Sequence, residues 1–286
     1  MTSSLRSLCL LGLLCVLLPA AAETQEEPAK AKTADEPEAN ASAQGFHYVL
    51  GLRAAYQPEF MGAREYKTSA RPLISLQWGK WRLSSSGASA VMGFGRDVQG
   101  SGASTDLLSR DRVKVSLSLR FDSGRQSSDS PRLSGLPDVR RTLRSQLSTR
   151  YSLSDELSLG ASWSTDLLGR GGGSVVGLGL GYRLYRDTKT EWTTGAGVGW
   201  GSRRYQQSYF GVAPEVASRT LYAAYQPGSG LRDAYLGMGL TYAITHHWIA
   251  FSSASIGRLQ GPSADSPLVE RRSAGQVAVG LAYRSR

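Results

Sequence analysis

The chain has 286 residues, a net charge of +10 and only two cysteines. Both cysteines, Cys9 and Cys15, lie in the apolar segment at the N-terminus, so the segment expected to fold contains none. This distribution excludes disulfides, thiolate zinc sites and cysteine nucleophiles from that segment. The positive charge does not favour nucleic-acid binding, because the N-terminal segment predicts export.

The first 22 residues are predicted to form a cleaved signal peptide. Arg6 supplies a positive start, an apolar core runs from Leu8 to Leu18, and Ala20-Ala21-Ala22 has the form of a cleavage site. That core is too short to span a membrane as a helix. Residues 23–45 are rich in Glu, Ala, Lys and Pro and lack aromatic residues, which predicts a disordered periplasmic linker. Residues 46–286 are expected to form a single barrel domain.

From residue 46 onward, apolar residues recur at every second position, which is the period of a β-strand. The clearest segment is 112–122, where Val113, Val115 and Leu117 alternate with Lys114 and Ser116. Its length suits a tilted strand that crosses a bilayer. The predicted strands are 46–56, 70–78, 80–86, 88–95, 112–122, 140–151, 155–167, 174–185, 189–201, 232–244, 247–258 and 273–284.

The connections between these strands predict how the barrel is threaded. Outer-membrane barrels usually have an even number of strands, with short periplasmic turns and long external loops. Short links at 78–80, 152–154, 186–188 and 245–246 alternate with long ones at 57–69, 123–139, 202–231 and 259–272 if 80–95 is split at Gly87. The sequence therefore predicts an all-β transmembrane antiparallel β-barrel of outer-membrane type with about 12 strands. This count requires a long periplasmic link at 96–111. A soluble β-sandwich is the alternative, although its strands are usually shorter.

Charge predicts which face of the strands meets lipid. A basic side chain on the lipid face near the bilayer centre costs about 2–4 kcal/mol. The face shared with glycine and serine should therefore line the lumen, and it carries Arg53, Lys114, Arg120, Arg144, Arg150 and Arg183. Aromatic residues near strand ends on the apolar face predict interfacial girdles. These are Tyr56, Tyr151, Trp163, Trp192, Trp200, Trp248 and Tyr283.

The basic lumenal residues allow two interpretations. Rings of arginine and lysine favour anions, which predicts a small passive channel. Alternatively, these residues pair with acids such as Asp122 and Asp166 and fill a barrel that is narrower than the general porins.

Loop 202–231 concentrates aromatic and basic residues, including Tyr205, Tyr209, Phe210, Arg219, Tyr222 and Tyr225. Such clusters are common at binding surfaces, and this one predicts an interaction or adhesion loop. A loop that folds into the lumen as a plug would have the same composition. Basic loop residues are also expected to contact lipopolysaccharide phosphates.

The chain shows no catalytic, cofactor-binding or metal-binding motif. It has only three histidines, His47, His246 and His247, and no motif frames a serine near them as a nucleophile. No helix is predicted after Gly95, Gly100 and Gly102, as a phosphate-binding loop would require. We expect a protein without enzymatic activity, cofactor or metal.

Four loop segments give information that the alternation of the strands does not. They are 56–72 (YQPEFMGAREYKTSARP), 132–138 (RLSGLPD), 205–225 (YQQSYFGVAPEVASRTLYAAY) and 265–269 (DSPLV). Together, in this order, they resemble the MipA/OmpV family of MltA-interacting outer-membrane proteins. The most specific element comprises Tyr209, Phe210, Gly211, Val212, Ala217 and Arg219. The chain departs from the family where Thr220-Leu221 replaces Ser-Gly-Leu, and where it ends on Arg286 instead of an aromatic residue.

The resemblance implies a non-catalytic barrel in the cell outer membrane. It implies a scaffold for peptidoglycan-remodelling enzymes, namely a lytic transglycosylase and a penicillin-binding protein. The contacts are expected on residues 23–45, on the 96–111 link and on the tight turns. A small anion-favouring channel and a surface-loop adhesin are the alternatives. Tyr283 is expected to replace the missing terminal aromatic residue during assembly.

Overall fold

A computed structural model describes residues 46–85 and 100–285. These residues form twelve strands and three short α-helices. The strands are β1 (Phe46–Pro58), β2 (Tyr66–Trp78), β3 (Trp81–Ser84), β4 (Gly102–Arg110), β5 (Val113–Asp122), β6 (Thr142–Ser152), β7 (Leu157–Asp166), β8 (Ser174–Arg186), β9 (Thr190–Gly201), β10 (Gly230–Ala243), β11 (Trp248–Leu259) and β12 (Ser273–Arg284). The helices are α1 (Arg203–Phe210), α2 (Pro214–Ala217) and α3 (Gly261–Ala264).

The strands form one closed antiparallel barrel. Each strand pairs with its neighbour in sequence, and β12 returns to pair with β1. At this seam Arg53 lies opposite Gly280, and on the other side of β1 it lies opposite Arg71. Closure leaves no edge strand in the sheet, which is the condition for a β-structure to cross lipid. No helix within the described residues is long and apolar enough to cross a membrane.

The predicted count of twelve strands is confirmed, but the fourth strand lies elsewhere. The predicted strand 88–95 lies outside the described residues, which end at 85 and resume at 100. Most of the predicted periplasmic link at 96–111 is instead the strand β4. The prediction of a link was wrong because the sequence does not alternate here. Leu107 and Leu108 are adjacent, and a bulge between Asp106 and Leu108 shifts the register of β4. Such a bulge interrupts the period of two on which the sequence argument depends.

With β4 in place, short and long connections alternate around the described barrel. One end, which we call the turn end, carries the connections 79–80, 111–112, 153–156, 187–189 and 244–247. The opposite end, the loop end, carries 59–65, 123–141, 167–173, 202–229 and 260–272. The segment 112–122 is the fifth strand, as predicted. It follows a tight turn at 111–112, however, and not a long link.

The outer face of the barrel is apolar. Large side chains such as Leu178 and Val279 are more than half exposed in the isolated chain. Exposed aromatic side chains sit near strand ends, as predicted for Tyr56, Tyr151, Trp163, Trp192, Trp200 and Trp248. Trp78 and Trp81, which the sequence argument did not include, add to the ring at the turn end. An apolar belt between aromatic rings is the outer surface of a barrel that spans a membrane.

In two strands, β2 and β11, apolar and polar residues alternate poorly because part of the lumen is apolar. Leu73 on β2 and Phe251 on β11 are buried together with Ala282 on β12, and Val49 packs against them. The Phe251 ring lies over Gly280, where a Cβ atom would overlap the ring and the Leu52 carbonyl oxygen. Meanwhile small residues alternate with the inward side chains of β11. The polar and apolar faces therefore do not separate cleanly on this side of the barrel.

Candidate functional site

The described connections at the loop end are bonded to one another. We call residues 59–65, 123–141, 167–173, 202–229 and 260–272 the cap. The amides of Glu270 and Arg271 donate to the Gly62 carbonyl oxygen, and Arg132 pairs with Glu270 at 2.9 Å. Ser208 Oγ donates to the Gly171 carbonyl oxygen at 2.6 Å. Each long loop is therefore held by at least one other loop rather than standing alone in solvent.

An apolar cluster fills the outer part of the cap. Its buried members come from three loops and are Leu133, Leu136, Val212, Val216 and Leu268. Tyr222 and Tyr225 pack against this cluster, and the Tyr222 hydroxyl donates to the Arg132 carbonyl oxygen at 2.8 Å. Burial of side chains from distant loops stabilises their arrangement by the hydrophobic effect. These two tyrosines therefore serve packing inside the cap, whereas Arg219 is exposed on its surface.

The helix α1 lies in the mouth of the barrel. Ser202 precedes it and accepts a hydrogen bond from the Tyr205 amide, as an N-cap residue does. Tyr205, Gln206 and Phe210 are all buried. Gln206 donates to the Gly230 carbonyl oxygen at 3.3 Å and accepts from Ser263 Oγ at 2.6 Å. The helix is thus attached to β10 and to α3 by the two ends of one buried amide.

The Tyr205 ring packs between two lumenal arginines. The guanidinium carbon of Arg144 lies 5.9 Å from the ring centroid, and that of Arg232 lies 5.5 Å away. Tyr205 also stacks on Tyr209, with 4.6 Å between the ring centroids. A Cβ atom on Gly173, whose φ is +54°, would overlap the Tyr205 backbone, so the helix needs a glycine beneath it. Aromatic and cation–π contacts therefore join α1 to the wall of the barrel.

Tyr209 is joined to the barrel at both its hydroxyl and its backbone. The hydroxyl donates to Asp122 at the end of β5, and Arg125 donates to the Tyr209 carbonyl oxygen at 2.8 Å. Burial, followed by the charge of Asp122, raises the pKa of Tyr209 well above its ordinary value. The phenol consequently remains a hydrogen-bond donor throughout the neutral pH range.

Arg144 is the most fully bonded of the predicted lumenal residues. Its guanidinium donates to the carbonyl oxygens of Gly172 and Gly173 at 2.9 and 3.0 Å, and to Ser164 Oγ at 2.9 Å. It also lies 3.5 Å from the Asp122 carboxylate. The predicted pairing with Asp122 is therefore present, whereas the second proposed acid, Asp166, accepts from Thr142 instead. Arg144 belongs to the mouth of the barrel, beside the cap.

The other predicted basic residues lie on lumenal positions but at different heights. Towards the turn end, Lys114 pairs with Asp106 at 2.8 Å and Arg183 pairs with Glu191 at 3.1 Å. Arg120 donates to the Gly100 carbonyl oxygen at 3.2 Å. Arg53 lies opposite Arg71, and Arg150 lies opposite Lys114. The structure therefore distributes the six residues along the lumen and does not gather them into one ring.

Three lumenal arginines were missed by the sequence argument. Arg71 lies on β2, whose alternation is poor, and Arg82 lies on the short strand β3, where it donates to Gln77 at 3.3 Å. Arg232 lies just inside β10, pairs with Asp233 at 3.0 Å and donates to the Tyr205 hydroxyl. Parity could have found two of them, since Arg71 shares the parity of the inward-facing Leu73 and Arg82 alternates with the outward-facing Trp81 and Leu83.

Apart from the pair of Arg183 and Glu191 towards the turn end, the wall formed by β8 and β9 is lined by glycines. Gly179 lies opposite Gly197 in the register, and Gly177 opposite Gly199. The Tyr235 side chain crosses from β10 over this wall, where a Cβ atom on Gly197 would overlap its ring. The glycines therefore leave room for a lumenal aromatic ring. Within the described chain, no group of three or more His, Cys, Asp or Glu side chains is placed to hold a metal ion.

Comparisons with solved structures return porins at low similarity. The NanC porin aligns with a TM-score of 0.46 at 12% identity, covering 82% of this chain and 98% of that one. The KdgM porin, in complex with disordered oligogalacturonate, aligns with a TM-score of 0.42 at 12% identity, covering 83% of this chain and 99% of that one.

Sequence comparisons show the family to which the chain belongs. The MltA-interacting protein of Escherichia coli strain K12 is 28% identical over 119 residues, which are 42% of this chain and 47% of that protein. A protein of the same name in Shigella flexneri matches to the same extent. This chain thus matches about half the length of these curated relatives. A family model described as MltA-interacting protein MipA matches residues 50–285, nearly the whole barrel. The chain belongs to the MipA family.

Proposed function

We propose that this protein is a non-enzymatic barrel of the outer membrane that serves as a scaffold for peptidoglycan-remodelling enzymes. The proposed partners are a lytic transglycosylase of the MltA type and a penicillin-binding protein. Membership of the MipA family and the name of the curated relatives support the first of these partners. The apolar belt supports insertion in a membrane, and a signal peptide at 1–22 would direct the chain there.

The observation that carries this proposal is the bonded cap. A general channel needs a lumen that is open at both ends, but here α1 occupies the mouth and is fixed to β5 and β10. Buried contacts of Tyr205, Gln206 and Phe210 oppose displacement of this helix. A barrel closed in this way is better suited to holding other proteins at the membrane than to passing solutes.

The turn end is the surface that we assign to the partner enzymes. Long loops of such barrels face outward and short turns face the periplasm, where peptidoglycan is built and cut. The turn 153–156 presents Asp155 and Glu156, both exposed, and the turn 187–189 presents Asp187 and Lys189. Residues 102–110 no longer belong to this surface, since they form β4 in the wall of the barrel. The proposed contacts therefore reduce to the turns and the 23–45 tail, which lies outside the described residues.

Binding of a purified MltA-type transglycosylase to the detergent-solubilised full chain tests this assignment. We expect the wild type to bind and the Asp155→Lys, Glu156→Lys double variant to bind at least ten times more weakly, because both charges on one turn are reversed. Glu215→Lys is the control for location, since it reverses one exposed acid in the cap. Absence of binding by the wild type, or a loss confined to Glu215→Lys, would contradict the scaffold.

A small anion-favouring channel is the second candidate, and the lumen gives it a specific basis. Arg53 and Arg71 lie opposite each other, and Lys114 lies opposite Arg150, so basic pairs occur on two walls. Such groups would favour anions if the cap opened. Planar-bilayer recording separates the two candidates: steady anion conductance of the wild type favours the channel, and a closed barrel favours the scaffold.

Surface adhesion through the cap is supported by a single residue. Leu221, beside the exposed Arg219, has no neighbour that shields it from solvent. An exposed apolar side chain on an external loop suits contact with another surface. Loss of cell attachment in Leu221→Ser, with transglycosylase binding intact, would favour this role.

A further inference from the structure

Five exposed arginines lie together on one side of the loop end. Arg140 and Arg141 precede β6, Arg170 lies in the loop between β7 and β8, and Arg203 and Arg204 begin α1. Two hydrogen bonds join these three segments. Arg170 donates to the Arg141 carbonyl oxygen at 2.9 Å, and Arg204 donates to the Gly169 carbonyl oxygen at 3.3 Å. We call these five residues the arginine rim.

The arginine rim is not neutralised by neighbouring acids. In residues 46–85 and 100–285, no carboxylate lies within ion-pair distance of any of its five guanidinium groups. The nearby Asp166 accepts instead from Thr142 and from the Gly172 amide. Two of the other exposed arginines of the cap are neutralised, since Arg132 pairs with Glu270 and Arg272 with Asp265. Positive charge is therefore concentrated on the side of the barrel formed by β6 to β9.

Two exposed leucines lie directly below the arginine rim. Leu167 and Leu168 are 51% and 52% exposed and continue the chain from the end of β7. Leu167 still donates its amide to the Leu143 carbonyl oxygen, so it extends the outward row of Trp163. The two exposed leucines therefore face the surrounding lipid, while the guanidinium groups next to them lie at the level of lipid headgroups.

We propose that the arginine rim, together with Leu167 and Leu168, binds a phosphorylated glycolipid of the outer leaflet. Guanidinium groups bind phosphate through paired N–H donors, and several of them on one side match a headgroup that carries more than one phosphate. The leucines meet the acyl chains, which a free phosphate or a nucleic acid lacks. The proposal rests on the proposed outer-membrane location, but it does not depend on the scaffold role.

A glycolipid bound at the arginine rim would also affect the cap. Arg203 and Arg204 belong to α1, whose other side is buried in the barrel mouth. A lipid phosphate held between them and Arg140 joins the helix to the base of the 123–141 loop from outside. The bound glycolipid would therefore stabilise the closed cap in the membrane.

Native mass spectrometry of the purified full chain in detergent tests the site, with bisphosphorylated lipid A as the probe. The test variant is Arg140→Glu, Arg203→Glu, because neither side chain donates a hydrogen bond among the described contacts. The control is Arg64→Glu, Arg271→Glu, which makes the same charge change in the β1–β2 and β11–β12 loops. We expect the test variant to reduce the bound fraction at least tenfold, and the control to change it less than about twofold.

Two further arms identify the ligand. Dephosphorylated lipid A should bind the wild type at least tenfold more weakly, and inorganic phosphate should not displace the lipid at equal concentration. Equal binding of both lipids, equal effects of the two double variants, or full displacement by inorganic phosphate would each overturn the proposal. Envelope fractionation of the wild type and the test variant shows separately whether the protein is in the outer membrane. A variant that stays in the outer membrane but loses lipid A supports the site. Absence of the wild type from that membrane contradicts the proposed function.

Discussion

The Tyr209 hydroxyl donates to the Asp122 carboxylate, 3.1 Å from Oδ2, and so joins the helix of the longest loop to the last residue of β5. The same carboxylate accepts from the Gly124 amide at 2.9 Å and lies 3.5 Å from Arg144. One acid therefore fixes a helix, a loop and a neighbouring strand at the mouth of the barrel. If the cap is a closed plug, this is the contact at which its closure can be weakened without disturbing the apolar clusters.

We expect Tyr209→Phe to let the cap open intermittently. The variant keeps the ring and its stacking on Tyr205 but loses a hydrogen bond to a charged acceptor, which contributes about 1.5–3 kcal/mol. Recording from single barrels in a planar bilayer should show a closed wild type and a variant whose open fraction is at least tenfold larger.

Tyr222→Phe is the matched control for this prediction. It removes the same hydroxyl from another cap tyrosine, whose acceptor is the Arg132 carbonyl oxygen on the outer side of the cap. We expect its open fraction to match that of the wild type. Equal opening of the two variants would mean that the cap responds to any lost hydrogen bond, and that Asp122 has no special place in closure.

Alkaline pH should open the cap through the same residue. Burial and the charge of Asp122 raise the pKa of Tyr209 above that of the unfolded chain. A raised pKa means that the contribution of Tyr209 is complete below about pH 10 and decreases as the pH rises above it. The open fraction of the wild type should therefore rise only above about pH 10, and Tyr209→Phe should lack this rise. Opening of the wild type between pH 7 and 9 would contradict the assignment.

The variants Arg144→Ala and Arg183→Ala should differ in their effect on stability. Arg144 is buried, and its loss leaves the Gly172 carbonyl oxygen without its donor and removes a second bond from Gly173, which keeps only the Asp166 amide; this costs about 2–4 kcal/mol. Arg183 pairs with Glu191 where both are partly exposed, so its loss costs about 1 kcal/mol or less. Urea unfolding of the barrel in detergent measures both values.

Arg144→Lys separates the geometry of this site from its charge. A lysine keeps the positive charge near Asp122 but cannot supply the fork of donors that reaches two adjacent carbonyl oxygens. We expect it to recover less than half of the stability lost in Arg144→Ala. Full recovery would show that charge alone holds this side of the barrel mouth.

The period of two was enough to predict the barrel because the face on which a side chain lies is a local property of a strand. Val113, Lys114 and Val115 show their faces without reference to any other strand. The same rule failed at Leu107 and Leu108, where a bulge changes the parity within β4. It was also weak for β11, since Phe251 is apolar but faces the lumen over Gly280.

The cap had no comparable local signal. Gln206 and Ser263 are separated by 57 residues, and only the closed barrel brings their loops together. Composition showed that loop 202–231 is aromatic and basic, which fits a plug and a binding surface equally. The burial of Tyr205 and Phe210 favours the plug, and this burial depends on the walls supplied by β6 to β10. The arginine rim was likewise invisible, because its three segments are far apart in the chain.

Gly280 should not tolerate a side chain. A Cβ atom there would overlap the Phe251 ring and the Leu52 carbonyl oxygen, so either the ring or the β1–β12 seam must move. Gly280→Ala should cost about 1–3 kcal/mol by overpacking. Gly257→Ala is the matched control on the lumenal side of β11, where the nearest atom, the Ala234 carbonyl oxygen, lies at 3.8 Å. Urea unfolding of the two variants should differ by at least 1 kcal/mol, and equal values would show that Phe251 moves aside freely.

Tyr283 should be needed for the barrel to close during assembly. It lies at the turn end of β12, where its ring stacks on Tyr48 of β1 and His247 and meets the Trp248 ring edge-on at 5.5 Å. Aromatic pairs contribute about 0.5–1.5 kcal/mol each, and these pairs lie on both sides of the last strand to join. Tyr283→Ala should therefore reduce the fraction of compact, heat-modifiable barrel in isolated outer membranes, whereas Tyr283→Phe should keep it. Tyr182→Ala, a lipid-facing tyrosine on β8, is the control, and an equal reduction there would mean that any girdle aromatic serves as well as the one at the seam.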